Sequence, residues 1–187
     1  MGNLTQLFPE AASTNVLEEI VYYADGKTVS TSAGNFTAPN ITAITAVTSN
    51  TFVENTGCTI AYTPPVGTTK VFYDATIMLR YYAPDGSMSP SWYVELDGTQ
   101  ISQTRRTELQ QNTYEMVTHA LAVVDINGTD SIATSQVASW SSNKTFKVYF
   151  SSYGTSGYRF YMNGVYHYNG AAANLVTPPC IKITAYS

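Results

Sequence analysis

Six Asp-Gly or Asn-Gly pairs punctuate the chain: Asp25-Gly26, Asp85-Gly86, Asp97-Gly98, Asn127-Gly128, Asn163-Gly164 and Asn169-Gly170. These residue types tolerate the positive φ that tight two-residue turns demand, so their recurrence predicts a meander of hairpin-connected strands. The segments between them are rich in Val, Ile, Thr, Tyr and Phe, and none sustains a period of 3.6. The expectation is an all-β chain with almost no helix.

Alternation assigns the faces of several segments. In residues 70–82, Val71, Tyr73, Ala75, Ile77, Leu79 and Tyr81 share one side, while Lys70, Asp74, Thr76 and Arg80 share the other. In residues 91–102, Trp92, Val94 and Leu96 point inward and Tyr93 and Glu95 outward, with Asp97-Gly98 returning the chain towards Ile101. Phe146, Val148 and Phe150 form a third inward set. Ile181, Ile183 and Ala185 alternate with Lys182 and Thr184 in a closing strand, expected to pair centrally because a terminal strand otherwise frays. Residues 113–124 are apolar on both faces, as in a strand covered on both sides within a sandwich or at a subunit interface. That makes Tyr114, Met116, Val117, His119 and Leu121 the candidate subunit contacts.

About eight to ten strands at spacings near ten residues suit two packed antiparallel sheets, and a jelly roll is the common way to close such a set. Pro64-Pro65 and Pro178-Pro179 mark chain entries that cannot lie in mid-strand. Residues 1–40, dominated by Ser, Thr, Asn and Ala, read as an extended arm whose one short strand is Glu18–Tyr23, with the β-domain over 41–187. The alternative is that they are simply the first strands and loops of the domain. A chain of 187 residues buries on the order of 70% of its unfolded surface, enough to need neither disulfide nor metal.

Composition excludes some partners. Only 12% of residues are charged, against about 25% in an average globular protein, and 15 of the aromatic residues are Tyr. The surface must therefore draw on Ser, Thr, Asn, Gln and Tyr. A net charge of −4 with 9 Lys and Arg leaves no basic footprint for nucleic acid, and Arg105-Arg106 reads as a solvated strand end. No run approaches the length of a membrane-spanning helix, and residues 1–13 lack a basic segment followed by an apolar one, so neither membrane insertion nor secretion is expected. Cys58 and Cys180 belong to no metal-ligand spacing; they are two buried free thiols or, since each precedes an alternating strand, a disulfide between neighbouring strands.

The spacings of hydrolases, nucleotide binders and zinc proteases (GxSxG, GxxxxGK[ST], GxGxxG, HExxH) are not found in the sequence. No catalytic residue and no cofactor is expected. His119 and His167 lack a second ligand two positions away. The strand carboxylates Asp74, Glu95 and Glu115 are the one set that a glycosidase-like pair could draw on, although each falls on the polar phase of its strand. Asp125, Asn127 and Asp130 gather oxygens around a glycine without the length or final Glu of a calcium loop. Exposed Tyr81, Tyr82, Tyr93 and Trp92 are candidates for stacking on sugar rings, with Trp92 assigned to the core by its phase.

The stretches GCTIAYTPPVGTTKVFYDATIMLRY, WYVELDGTQI, VASWSSNKTFKVYFSSYG and PCIKITAY, spanning residues 57–187, resemble the small jelly-roll virion proteins of tailed bacteriophages, especially marine and cyanobacterial ones. Pro64-Pro65, Gly67, Leu96-Asp97-Gly98, Trp140 and the closing Ile183-Thr184-Ala185 are its landmarks. The resemblance implies a homotrimer like the tumour-necrosis-factor assemblies, without enzymatic activity. It would either decorate and cement the capsid surface, with the major capsid protein or another virion protein as partner, or tip a fibre that recognises a host receptor or glycan.

Overall fold

In a computed structural model of the chain, residues 15–81, 87–111, 115–153, 159–165 and 175–187 are described. The strands, in chain order, are β1 (Val16–Tyr23), β2 (Thr28–Thr31), β3 (Gly34–Thr37), β4 (Thr45–Val47), β5 (Val53–Glu54), β6 (Ile60–Tyr62) and β7 (Lys70–Tyr81). The middle of the chain supplies β8 (Ser87–Met88), β9 (Ser91–Leu96), β10 (Thr99–Gln100), β11 (Arg106–Thr107), β12 (Gln110–Gln111) and β13 (Glu115–Ile126). β14 (Gln136–Val137), β15 (Lys144–Ser151), β16 (Phe160–Met162), β17 (Gly164–Val165), β18 (Leu175–Val176) and β19 (Cys180–Tyr186) complete the set. Helix among the described residues is limited to 3-10 turns such as Thr56–Cys58, Ser102–Thr104 and Ile132–Thr134.

Two sheets form an antiparallel jelly-roll sandwich. The first runs β1-β19-β7-β13, with β16 and β4 extending it where β7 continues past β19. The second places β9 beside β15, flanked by β10 and β11 on one margin and by β5 and β6 on the other. Neighbours in space are distant in sequence, β7 lying between β13 and β19. The jelly-roll sandwich expected from the sequence is the fold, although the turn pairs do not join its strands in a simple meander.

The alternation of β7 holds from Val71 to Leu79: Val71, Tyr73, Ala75, Ile77 and Leu79 are wholly buried. Val94 and Leu96 of β9, Phe146, Val148 and Phe150 of β15, and Ile181 and Ile183 of β19 meet them from the other elements. Tyr73 of the first sheet stacks on Phe146 of the second at 4.6 Å and 15°. Its hydroxyl donates to the Cys58 carbonyl at 2.6 Å, satisfying a phenol that has no access to water. Trp140 Nε1 donates to the Tyr62 carbonyl at 2.9 Å, so both tryptophans are core residues, Trp92 among them. β19 sits between β1 and β7, as a closing strand should.

Two expectations change, the arm and the hairpin role of the turn pairs. Residues 15–40 are no arm: β1 pairs with β19 from Glu18 to Tyr23, and Ile20, Tyr22, Ala24 and Ala38 are buried. Residues 1–14 lie outside the described residues. Among the turn pairs, Asp97-Gly98 closes the β9–β10 hairpin with φ of 47° and 80°, but Asp25-Gly26 leads from β1 to a separate β2–β3 hairpin. Asn127-Gly128 leads to β14, which lies parallel to β13. Asn163 adopts φ of 62° for another reason: its amide is buried and exchanges two hydrogen bonds, 2.9 and 3.0 Å, with the buried amide of Asn55. Gly164 follows because a Cβ there would lie 2.6 Å from Ile44. Asp85-Gly86 and Asn169-Gly170 fall outside the described residues.

Candidate functional site

Residues paired across an antiparallel ladder point to the same side of the sheet, so the register defines the outer face of the first sheet row by row. Glu19, Thr184, Phe72 and Val123 form one row; Val21, Lys182, Asp74 and Leu121 the next; Tyr23, Cys180, Thr76 and His119 a third; Met78 and Val117 follow. Val21 and Tyr23 on β1 are 57% and 59% exposed, and Val117, Leu121 and Val123 on β13 are 52%, 44% and 42% exposed. Two apolar stripes thus stand at opposite margins of one face. Between them runs a charged strip, in which Lys182 meets Glu19 at 2.7 Å and His119 Nδ1 lies 3.2 Å from Asp74 Oδ1 and 3.3 Å from Thr76 Oγ1.

β13 is also an edge. Among the described residues it pairs beyond β7 only with β14, at Asp125 and Ile126. The Asp125 amide points outward to the Ser135 carbonyl, whereas that of Ile126 points inward to Thr69. By antiparallel alternation the backbone groups of Val117, His119, Leu121 and Val123 therefore face the open margin. Gln103, Arg106, Thr134 and Ser135 form the far wall of a cleft beside Leu121 and Val123.

The candidate subunit contacts divide accordingly. Val117, His119 and Leu121 share the open face; Met116 takes the opposite phase and packs partly buried against the core; Tyr114 lies outside the described residues. Cys58 and Cys180 are not bonded to one another. Cys58 is buried in the core, Cys180 shares the outer face with Lys182, and both are free thiols. Burial pushes the Cys58 thiol well above its ordinary range.

The outer face of the second sheet has a different character. Tyr93 of β9 and Tyr149 of β15 are directly opposed and stack at 5.2 Å and 19°. Phe52 packs on Tyr93 at 4.8 Å, and the Arg105 guanidinium lies over the Phe52 ring at 5.6 Å. At the other end Glu54 accepts from Thr59 Oγ1 at 2.7 Å and from Lys147 Nζ at 3.0 Å, with the Tyr149 hydroxyl 3.5 Å away. Partial burial pushes the Glu54 pKa up, but these donors outweigh it and hold the carboxyl below its ordinary range. Sequence reasoning named Tyr93 and missed Phe52, Tyr149 and Arg105; the alternation of Lys147 and Tyr149 against Phe146, Val148 and Phe150 was the available signal. The side chain of Tyr81, and Tyr82 entirely, lie outside the described residues.

The three strand carboxylates are not brought together. Asp74 pairs in register with Leu121 and Glu115 with Arg80, six residues apart along β13 or about 20 Å. Glu95 belongs to the other sheet. Asp125 is paired with Lys70 at 3.5 Å, and Asn127 Oδ1 accepts from the Thr129 amide at 3.1 Å, an ordinary Asx turn. His167 lies outside the described residues.

No family model matches the chain, and no curated protein does. Among solved structures it is similar to the C-terminal domain of EclA, described as a sugar-binding protein, at 8% identity and a TM-score of 0.34 over 87% of this chain and 93% of that one. It is also similar to a structure of the Gt strain of infectious bursal disease virus, at 11% identity and a TM-score of 0.29 over 95% of this chain and 46% of that one. A mutant VP2 protein of the same virus, in derived T=1 particles, gives 11% identity and a TM-score of 0.29, covering 95% and 44%. The chain spans just under half the length of these viral chains. Its function rests on its own residues.

Proposed function

We propose that this chain is a structural virion protein, without enzymatic activity, that assembles as a homotrimer through the outer face of its β1-β19-β7-β13 sheet and decorates a capsid surface. The observation that carries the self-association is the pair of apolar stripes on that face. Val21 and Tyr23 stand three strand spacings, about 14 Å, from Leu121 and His119. Two different patches on one molecule suit a heterologous contact, the β1 stripe of one copy on the β13 stripe of the next, and such contacts close into rings. The charged strip between them would set the register of the copies. Three as the number of copies, and the capsid shell as the partner, are supported by the resemblance of residues 57–187 to phage jelly-roll virion proteins.

An edge strand that is apolar on its exposed side and open along its backbone invites uncontrolled pairing when it stands alone. A partner subunit over β13 removes that liability. Leu121→Lys tests the reading: a cation placed in the stripe should turn the trimer into a folded monomer by light scattering. A Leu121→Lys protein that keeps the wild-type mass would place the contact elsewhere.

A further inference from the structure

We infer that Asn127 is a site of spontaneous modification, its side-chain amide converting to aspartate and isoaspartate after attack by the Gly128 backbone nitrogen. The reaction needs an unhindered nucleophile, and glycine alone carries no Cβ beside the attacking nitrogen. Asn127 and Gly128 are both exposed, and the Gly128 amide makes no hydrogen bond among the described residues, so hydroxide from solvent can take its proton. The Asx turn presents the electrophile. Asn127 Oδ1 accepts from the Thr129 amide at 3.1 Å, closing a ring of atoms that contains both the side-chain amide carbon and the Gly128 nitrogen. The same N–H faces the oxygen on which negative charge develops when that carbon becomes tetrahedral, as the donor of an oxyanion hole does.

Water is the only co-reactant. The Gly128 nitrogen bonds to Asn127 Cγ, the Cγ–Nδ2 bond breaks, and ammonia leaves with a proton from water. A second water opens the resulting cyclic imide at either carbonyl, giving aspartate or, with an extra methylene in the main chain, isoaspartate. The fold spares the other described Asn-Gly pair. Asn163 and Gly164 are buried, and the Asn163 amide is held at both Oδ1 and Nδ2 by Asn55. At Asn127 the consequence falls on β14: the Asn127 amide donates to the Val137 carbonyl at 3.2 Å, beside the pairing of Asp125 and Ile126 with Gln136 and Val137. A longer main chain disturbs that pairing, and the new carboxylate joins Asp125 and Asp130 in a chain of net charge −4. The chemistry is local to the turn, so it holds whether or not the first sheet assembles.

The test is to hold the full chain at mildly alkaline pH and physiological temperature, folded in buffer and unfolded in urea, and to map both samples by peptide mass spectrometry over weeks. In the folded chain the peptide carrying Asn127 should lose its amide while the peptide carrying Asn163 keeps it; in urea both should lose it. Site-resolved mapping keeps Asn127 apart from Asn169, which lies outside the described residues. The Asn127 product should be two acids of equal mass that separate by chromatography. Asn127→Gln, whose side chain would have to close a larger ring, should abolish the conversion at that position. An Asn127 amide that persists in the folded chain while the urea sample loses it, or an Asn163 amide lost from the folded chain as fast as that of Asn127, would overturn the inference.

Discussion

Tyr22 and Tyr73 bring the same phenol into the same core but should respond oppositely to its removal. The Tyr73 hydroxyl donates to the Cys58 carbonyl, whereas the buried Tyr22 hydroxyl has no hydrogen-bond partner among the described residues. Burial pushes the pKa of both far above the ordinary tyrosine range, so each stays protonated and its donor is either used or wasted. Tyr73→Phe should cost about 1–2 kcal/mol by urea unfolding, and Tyr22→Phe should be neutral or stabilise by up to about 1 kcal/mol. The buried Asn55–Asn163 pair is a stronger case. Asn163→Ala removes both amide bonds, leaves the buried Asn55 Nδ2 without its acceptor and keeps a non-glycine residue at φ of 62°, so it should cost about 2–4 kcal/mol. Asn163→Gly, which relieves the backbone but not the lost bonds, should recover only part of that.

At the scale of strands, what the sequence disclosed was whatever alternates over several residues. β7, β9, β15 and β19 are each read correctly from their own side chains, because burial on one face imposes period two on the residues themselves. β1 was legible as a short strand over Glu18–Tyr23, but its place was not: of its eight residues only Ile20 and Tyr22 are buried, and its position is fixed by pairing with β19, some 160 positions away. The Asn-Gly pairs misled because positive φ is a local requirement that serves a hairpin at Asp97 and a buried amide pair at Asn163. Phe52 escaped notice because only the fold brings its loop beside β9. Glu54 ties β5 to β15, and its lowered pKa has a defined consequence. A depressed carboxyl contributes stability that is present above its unfolded value near 4.5 and is lost as the pH falls through the folded one. Glu54→Gln should therefore make the decline in stability below pH 4.5 shallower than in wild type, measured by urea midpoints across that range.

For the whole molecule, the two sheets present different outer faces. The core between them needs no help from a partner, since its aromatic and aliphatic residues are closed off within one chain. The outer face of the first sheet leaves five large apolar side chains in water beside an open strand edge, and the second carries Tyr93 stacked on Tyr149. Substitutions on the first face should change mass in solution and leave the unfolding of the subunit nearly unchanged, with Val21→Lys acting like Leu121→Lys because the stripes are partners. Combining the two should restore nothing, since like charges would then meet across the contact. The most direct measurement is the mass of the purified full chain by light scattering at micromolar concentration. About three times 20.4 kDa, falling to a single 20.4 kDa species in Leu121→Lys, is the result expected. A wild-type chain that is monomeric at 20.4 kDa would contradict the assembly on which the proposed function stands.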